Sequence, residues 1–355
     1  MRRRNPACIK ERIDMANHVG GLHDRLNRIS HWDVNVTDLG RSRSWYEATT
    51  TLRVVAQTRA SQGFPSFGIE SGSFKGYLLK DTELPRGVPM IHLVQWENPT
   101  PVGTPYRSQA NVGWYRICPI VEDIEATRVV VIAQGSKPFA PTTRAKVCFH
   151  PGTREIDYRV FTVHDPDGIA VEFVDKLVMG PGGFTQVPAT VAHNTANVEK
   201  YFPFYHELLG LDFLQGAQTQ GKVPNVYAPG GGESGFTGAF FGVRGNGLVF
   251  FDWLQWLESP DLPSPYAEPN HVGIVRCAIE VDDLDAAHEI LKRSTWAQQY
   301  PILMGGIEEW DFGPQWGVRR VLNFKDPEGV AFQLVEQPGS RLGVLHPYGR
   351  GAQFG

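Results

Sequence analysis

The chain repeats itself. Val112-Gly113-Trp114-Tyr115-Arg116, with Val121-Glu122-Asp123-Ile124-Glu125-Ala126 after it, recurs 160 positions later as Val272-Gly273-Ile274-Val275-Arg276 and Val281-Asp282-Asp283-Leu284-Asp285-Ala286. Gln95-Trp96 and Gln255-Trp256 share that offset, and Asp165-Pro166-Asp167-Gly168 returns 161 positions on as Asp326-Pro327-Glu328-Gly329. Matches at separate places with nearly one spacing imply two copies of one unit, which restricts the fold more than any local pattern does. Gly180, Pro181, Gly182 and Gly183 interrupt the chain between the copies, so a linker is expected at 179–188.

Each copy divides again. His31 to Val36 alternates as a strand, Asp38 is placed to cap a helix, and Ser42 to Ala48 carries a helical apolar face. Strand-like runs follow at 52–57, 74–79 and 90–96, giving β-α-β-β-β. The order recurs three times: a strand at 114–121, a helix near 124–132 and strands near 146–149, 158–163 and 169–174; a unit opening with Ala189 to Asn194 and the helix Val198 to Leu209; and a last unit from Val272 through a helix at 284–291 to a strand at 331–335. Glu122-Asp123 and Asp282-Asp283 read as helix N-caps, not catalytic carboxylates. The expected class is α+β, with four βαβββ modules paired into two half-open β-barrel domains. Along the chain this gives an N-terminal extension at 1–28, a first domain at 29–178, a second at 189–338 and a tail at 339–355.

Composition removes several functions. Of 355 residues, 41% are hydrophobic and 20% charged, as in soluble globular domains, and a net charge of -4 offers no basic face for nucleic acid. No apolar run is long enough to span a membrane, and none follows Arg2, Arg3 and Arg4 to make a secretory signal. Cys8, Cys118, Cys148 and Cys277 form no CxxC pair, which fits reduced thiols in a cytoplasmic protein. The 38 glycines and 26 prolines suit many turns between short strands.

The helix ends Trp45-Tyr46 and Phe204-Tyr205-His206-Glu207-Leu208-Leu209-Gly210-Leu211, the turns at Val121-Glu122-Asp123 and Val281-Asp282-Asp283, and the hairpins Asp165 to Glu172 and Asp326 to Gln333 together resemble the vicinal oxygen chelate superfamily. That group includes glyoxalase I, extradiol dioxygenases, epimerases and bleomycin and fosfomycin resistance proteins. The resemblance runs from about Ile29 to Glu336. It implies that two units form a cup around a divalent metal, with ligands from the first and last strand of each. Carried onto this chain, those positions are His31 and His92, Asn111 and Glu172, Thr190 and Asp252, and His271 and Gln333. His92 precedes Asn111 by 19 residues, as Asp252 precedes His271.

The sequence leaves the pairing of units open. Adjacent pairing resembles extradiol dioxygenases and is the one favoured here, because it joins His31, His92 and Glu172 as metal ligands with Asn111, Trp96 and Tyr115 around the substrate; two His and one carboxylate suit Fe(II). Asp252, His271 and Gln333 would then belong to a second, metal-free cup. Pairing outer with outer and inner with inner resembles four-unit glyoxalases. No catalytic acid or base is assigned; Asp33, Tyr115 and His150 are candidates for a base. His193 and His206 lie off the ligand register and read as helix-cap or surface residues.

Three functions compete. The first is a metal-dependent enzyme on a small oxygenated substrate, in the manner of an Fe(II) extradiol-type dioxygenase. The second is a glyoxalase I-like lyase or isomerase with Zn, Mn, Ni or Co, and the third is a metal-free protein that binds a drug or metabolite. All three take a small-molecule partner, with neither nucleic acid nor membrane, in a monomer or homodimer.

Overall fold

The computed structural model describes residues 21–81, 88–109, 111–150, 154–175, 185–219, 223–224, 233–243, 248–257, 265–300 and 305–340. The first 20 residues of the expected extension, most of the expected linker and the tail from 341 lie outside them. Unit one comprises β1 (Leu26–Asn35), α1 (Leu39–Thr49), β2 (Leu52–Phe64), β3 (Ile69–Asp81) and β4 (Met90–Asn98). Unit two has β5 (Gly113–Cys118), β6 (Ile120–Val121), α2 (Ile124–Ala133), β7 (Thr143–His150), β8 (Arg154–His164) and β9 (Ala170–Asp175). Unit three has β10 (Thr185–Asn194), α3 (Val198–Pro203), β11 (Asp212–Gln218), β12 (Val223–Pro224), β13 (Glu233–Ser234), β14 (Phe236–Gly242) and β15 (Leu248–Trp256). Unit four has β16 (Gly273–Val281), α4 (Leu284–Arg293), α5 (Thr295–Gln299), β17 (Ile307–Asp311), β18 (Val318–Lys325) and β19 (Ala331–Glu336). No helix among the described residues is long and apolar enough to cross a membrane.

The local signals act as expected. Asp38, Asp123 and Asp283 sit at N-caps, each accepting from backbone N–H groups of the first turn, a contribution of about 1 kcal/mol apiece. In both Asp-Pro-x-Gly turns the aspartate accepts from two backbone N–H groups, and Gly168 and Gly329 take φ of 90° and 89°. Tyr46 of α1 donates to Asp165, and Tyr205 donates to Asp326. Each turn is thus tied to the helix of the preceding unit. The stretch 62–71 is a tight hairpin end with one 3-10 turn at Pro65–Phe67, closed by Gly68 at φ 68°.

The sheets do not pair adjacent units. One sheet runs β17-β18-β19-β16-β1-β4-β3-β2, joining unit one to unit four; the other runs β5-β10-β15-β14-β11-β7-β8-β9-β6, joining unit two to unit three. The favoured adjacent pairing is therefore corrected to outer with outer and inner with inner. Its physical cause is a pair of long-range ladders, β1 on β16 and β10 on β5. The inner sheet closes on itself where β5 meets β9. The outer sheet stays open between β2 and β17, bridged by Arg59 N–H to the Phe312 carbonyl and by the Gln62 amide, which reaches Glu309 O and Asp311 N.

Alternation places two kinds of residue on β1. Trp32 and Val34 enter the main core, which all four units share, with Tyr46, Tyr205, Phe173 and Phe332. His31 and Asp33 point the other way, into the outer cup, where Phe64, Phe74, Trp96, Trp310 and Phe312 form a separate aromatic cluster.

Candidate metal centre

Within the outer cup, β1 and β4 run side by side with Asp33 opposite His92, and β1 meets β16 with Asp33 opposite Arg276. Asp33 Oδ1 lies 2.6 Å from His92 Nδ1 and 3.4 Å from His31 Nε2. Its other oxygen accepts from Arg276 Nε at 2.7 Å. His92 Nε2 is 2.7 Å from the Thr58 hydroxyl. Arg276 Nη1 reaches Asn323 Oδ1, which also accepts from Gln333 Nε2 at 2.9 Å. A continuous polar chain therefore crosses the cup from Thr58 to Gln333.

The electrostatics follow from this chain. Burial on its own would push Asp33 up, but Arg276 first, then His31 and His92, outweigh it and hold the carboxyl well below its usual range. Burial lowers His92, with Asp33 opposing. Burial thus favours the neutral imidazole of His92 beside an ionised carboxylate. His31, 1% exposed, makes no hydrogen bond from either ring nitrogen to the described residues. Its polar neighbour is Asp33 Oδ1, 3.4 Å from Nε2, and a buried polar group paired no better than that is costly.

A divalent ion would supply a closer partner. Coordinating atoms about 2.1 Å from a small ion stand about 3.0–3.4 Å from one another; Asp33 Oδ1 lies 3.4 Å from His31 Nε2, within that range, and at hydrogen-bond distance, 2.6 Å, from His92 Nδ1. Potential ligand atoms of His31, Asp33 and His92 all lie within 4.8 Å of one another. Donor types, burial and spacing fit a metal. The Thr58 hydroxyl, able to donate or accept, suits His92 whichever nitrogen is protonated.

No known family's sequence profile matches the chain, and no curated protein matches it. Solved structures do. Glyoxalase I from Zea mays superposes with a TM-score of 0.56 at 15% identity, covering 88% of this chain and 93% of the other. A mutant of that enzyme gives 0.57 at 15% identity, with 92% and 96% covered. A provisionally assigned dioxygenase from Bacillus subtilis gives 0.51 at 12% identity, with 88% and 86% covered. The chain has the vicinal oxygen chelate fold.

In that fold the expected ligand positions distribute as follows. His31, His92 and Gln333 share the outer cup. Glu172 and Asp252 lie in the inner one, so the structure does not bring Glu172 to His31 and His92; the carboxylate beside them is Asp33. Asn111 precedes β5, and His271 stacks on Tyr266 at 4.0 Å outside the outer cup's aspartate cluster. The register explains the shift. Gly113 and Gly273 take φ of 120° and 135°, where a Cβ would meet the hydroxyl of Tyr106 or Tyr266. The chain kinks at these glycines, so Asn111 and His271 belong to the preceding loops, and Arg116 and Arg276 occupy the cup positions instead.

Arg116 forms a buried ion pair with Glu172. Burial raises Glu172 against the pull of Arg116, and burial with nearby Glu172 raises Asp252 to about 7, again against Arg116. The guanidinium supplies the inner cup's positive charge. Trp96 packs on Phe64 and Phe74 in the outer cup's aromatic cluster, and Tyr115 is buried with Tyr106 and Ala170. His193 is fully buried under Tyr205 and against Trp114, correcting its expected surface place; burial pushes it down to about 3. His206 bonds the Leu211 carbonyl beside its helix end.

Arg276 is the residue whose site role the sequence reading missed, and Asp33, named there only as a candidate base, lies with His31 and His92 as a potential ligand. The signals were present: Asp33 shares the alternating face of His31, and Arg276 recurs in the repeat as Arg116.

Proposed function

We propose that this protein is a metal-dependent enzyme whose active centre is the outer cup, with His31, His92 and Asp33 holding a divalent ion, Fe(II) in the first reading. The observation that carries this is His31, a buried imidazole with no hydrogen bond to the described residues beside an ionised carboxylate and a second imidazole. Two imidazoles and one carboxylate suit non-haem Fe(II) with positions left for ligands. When bound, such an ion supplies Lewis acidity and redox chemistry toward a small molecule presenting adjacent oxygens.

The chain's own residues do the rest. Thr58 and Asp33 fix the His92 ring between them. Arg276 holds Asp33 from the opposite strand, so the carboxylate cannot rotate away. Trp316, on the β17–β18 turn, packs its ring 5.1 Å from that of His31 and excludes water from it.

A second reading, an isomerase or lyase with Zn, Mn, Ni or Co, draws on the pairing of unit one with unit four, the arrangement of four-unit glyoxalases. It requires a base, and among the described residues the only carboxylate in the metal cluster is already tied to Arg276.

The test is elemental analysis of protein purified without chelators, with wild type, His31→Ala and Glu172→Gln compared. Iron lost in His31→Ala and kept in Glu172→Gln, with oxygen uptake on catechol-type substrates, is the expected result. Zinc, nickel, cobalt or manganese with no oxygen uptake favours the second reading. Wild type without metal overturns both and leaves a metal-free binder.

A further inference from the structure

The helices α2 and α4 are repeat partners at the 160-residue offset, yet they meet solvent differently. Both turn a buried stripe to the core, Ile124 and Val131 in α2, Leu284 and Leu291 in α4. Away from that stripe α2 presents Ala126, Val129, Val130 and Ala133, at the i, i+3, i+4 and i+7 spacing of one helix face. Val129 is 69% exposed, Val130 40%, and Ile132 at the edge of the face 46%. The matching positions of α4 hold Ala286, Glu289, Ile290 and Arg293, with Lys292 in place of Ile132. There Glu289 pairs with Lys292 and Arg293, while Ile290 packs on the core along with Trp296 and Ala297 of α5. Unit four charges this face and backs it with a second helix. In unit two, residues 134–142 form turns and one bridge of Pro138 to Val163, so no second helix follows α2. Elsewhere among the described residues large apolar side chains are exposed one at a time along the chain. A contiguous group on one face marks a contact surface.

Two features of the face identify what fits it. It is palindromic: about a point between Val129 and Val130, valine stands opposite valine and Ala126 opposite Ala133. A two-fold axis through that point lays two copies of α2 antiparallel, a self-complementary contact in which small alanines at both ends let the helices approach. The ends also carry opposite charge, with Glu122 and Glu125 exposed at the N-terminal end and Lys137 exposed beyond the C-terminal end. Antiparallel packing sets the acidic end of each copy beside Lys137 of the other and opposes the two helix dipoles. Parallel packing would set like charges together.

We propose that the Val129–Val130 face of α2 is the contact by which two copies of this chain associate, helix against helix and antiparallel. A pair of such short helices buries less than the roughly 1,200 Å² of a standard interface, so the dimer forms and dissociates with concentration. None of these residues belongs to the outer cup, and association is independent of metal binding.

Sedimentation velocity of the full chain over a wide concentration range is the test, with wild type and Val129→Glu compared. The variant introduces the side chain that α4 already carries at Glu289, and at the two-fold axis it brings two carboxylates together. The expected result is wild type moving from monomer to dimer as concentration rises, and dimerisation weakened about 100-fold or more in Val129→Glu at an unchanged melting temperature. Disulfide cross-linking reads the geometry and decides the matter if that variant does not fold. Ala126→Cys and Ala133→Cys proteins are oxidised separately and as a mixture, with wild type oxidised alongside to subtract links through its own cysteines. Antiparallel packing sets position 126 opposite 133 and keeps like positions about 10 Å apart along the axis, so the mixture gains a cross-linked dimer that neither variant gives alone. Wild type that stays monomeric at every concentration overturns the proposal and leaves the face to another partner or another segment of the chain. A dimer that Val129→Glu does not weaken, or cross-linking equal in the separate and mixed samples, overturns it as well.

Discussion

Asp33 receives Arg276 from the directly opposite position of the β1–β16 ladder, Nε to Oδ2 at 2.7 Å. In the inner barrel Arg116, its repeat partner, closes on Glu172 instead. Among the described residues each cup thus pairs an arginine with a buried carboxylate, and the outer one adds two imidazoles. The difference lies in nitrogen donors: His31 and His92 stand beside the outer pair, and no imidazole among the described residues stands beside Glu172 in the same way.

This difference predicts opposite behaviour for two substitutions. Arg116→Met leaves Glu172 and Asp252 buried without their cation, so urea denaturation should show a loss of about 3–5 kcal/mol. Folded protein should nevertheless retain its full metal content. Metal lost from folded Arg116→Met would show that the inner barrel takes part in the centre.

His31→Leu should do the reverse. In metal-free protein the side chain is a buried polar group without hydrogen bonds, so an apolar replacement of similar size removes a cost. Denaturation in the presence of a chelator should find stability unchanged or raised by about 1 kcal/mol, while metal binding is lost. A histidine kept for structure would give a clear loss of stability instead.

The sequence made much of this legible, for physical reasons that differ by scale. Helix caps at Asp38, Asp123 and Asp283 and the turns at Asp165 and Asp326 are local devices, readable from a few neighbouring residues. Period-two alternation correctly separated His31 and Asp33 from Trp32 and Val34. The pairing of units was not readable, because it depends on ladders such as Asp33 opposite Arg276 that join distant segments. The ligand register in units two and four was hidden by Gly113 and Gly273: a count of residues cannot register a kink at positive φ, so Asn111 and His271 took the places that belong to Arg116 and Arg276.

Asp252 makes stability depend on pH. Its folded-state pKa is raised from 3.8 to about 7 by burial and by Glu172, with Arg116 opposing. The native state therefore holds a proton that the unfolded chain releases. Its contribution is fully present below about pH 4 and is lost as pH climbs through about 7. Asp252→Asn should flatten that part of the stability curve, on the order of 2 kcal/mol between pH 5 and 8. Denaturation midpoints at several pH values, compared with wild type, check it; parallel curves for the two proteins would refute the assignment.

Access to the outer cup should be limited by the β17–β18 turn. Trp316 is partly exposed, yet its ring lies 5.1 and 6.0 Å from those of His31 and His92. The seam that keeps the turn in place is not a strand ladder but a few bonds from Arg59, Gln57 and Gln62 to residues 309–315. Such a seam opens at lower cost than a paired edge, because fewer backbone groups must be separated together. Trp316→Ala should therefore speed metal removal by a chelator about tenfold, the factor expected for loss of about 1.4 kcal/mol of packing. Gln62→Ala should act in the same direction without touching the ligands, and both should leave metal affinity at equilibrium nearly unchanged. Stopped-flow chelation measures the rates. Rates equal to wild type in both variants would mean that ions reach His31 by another route.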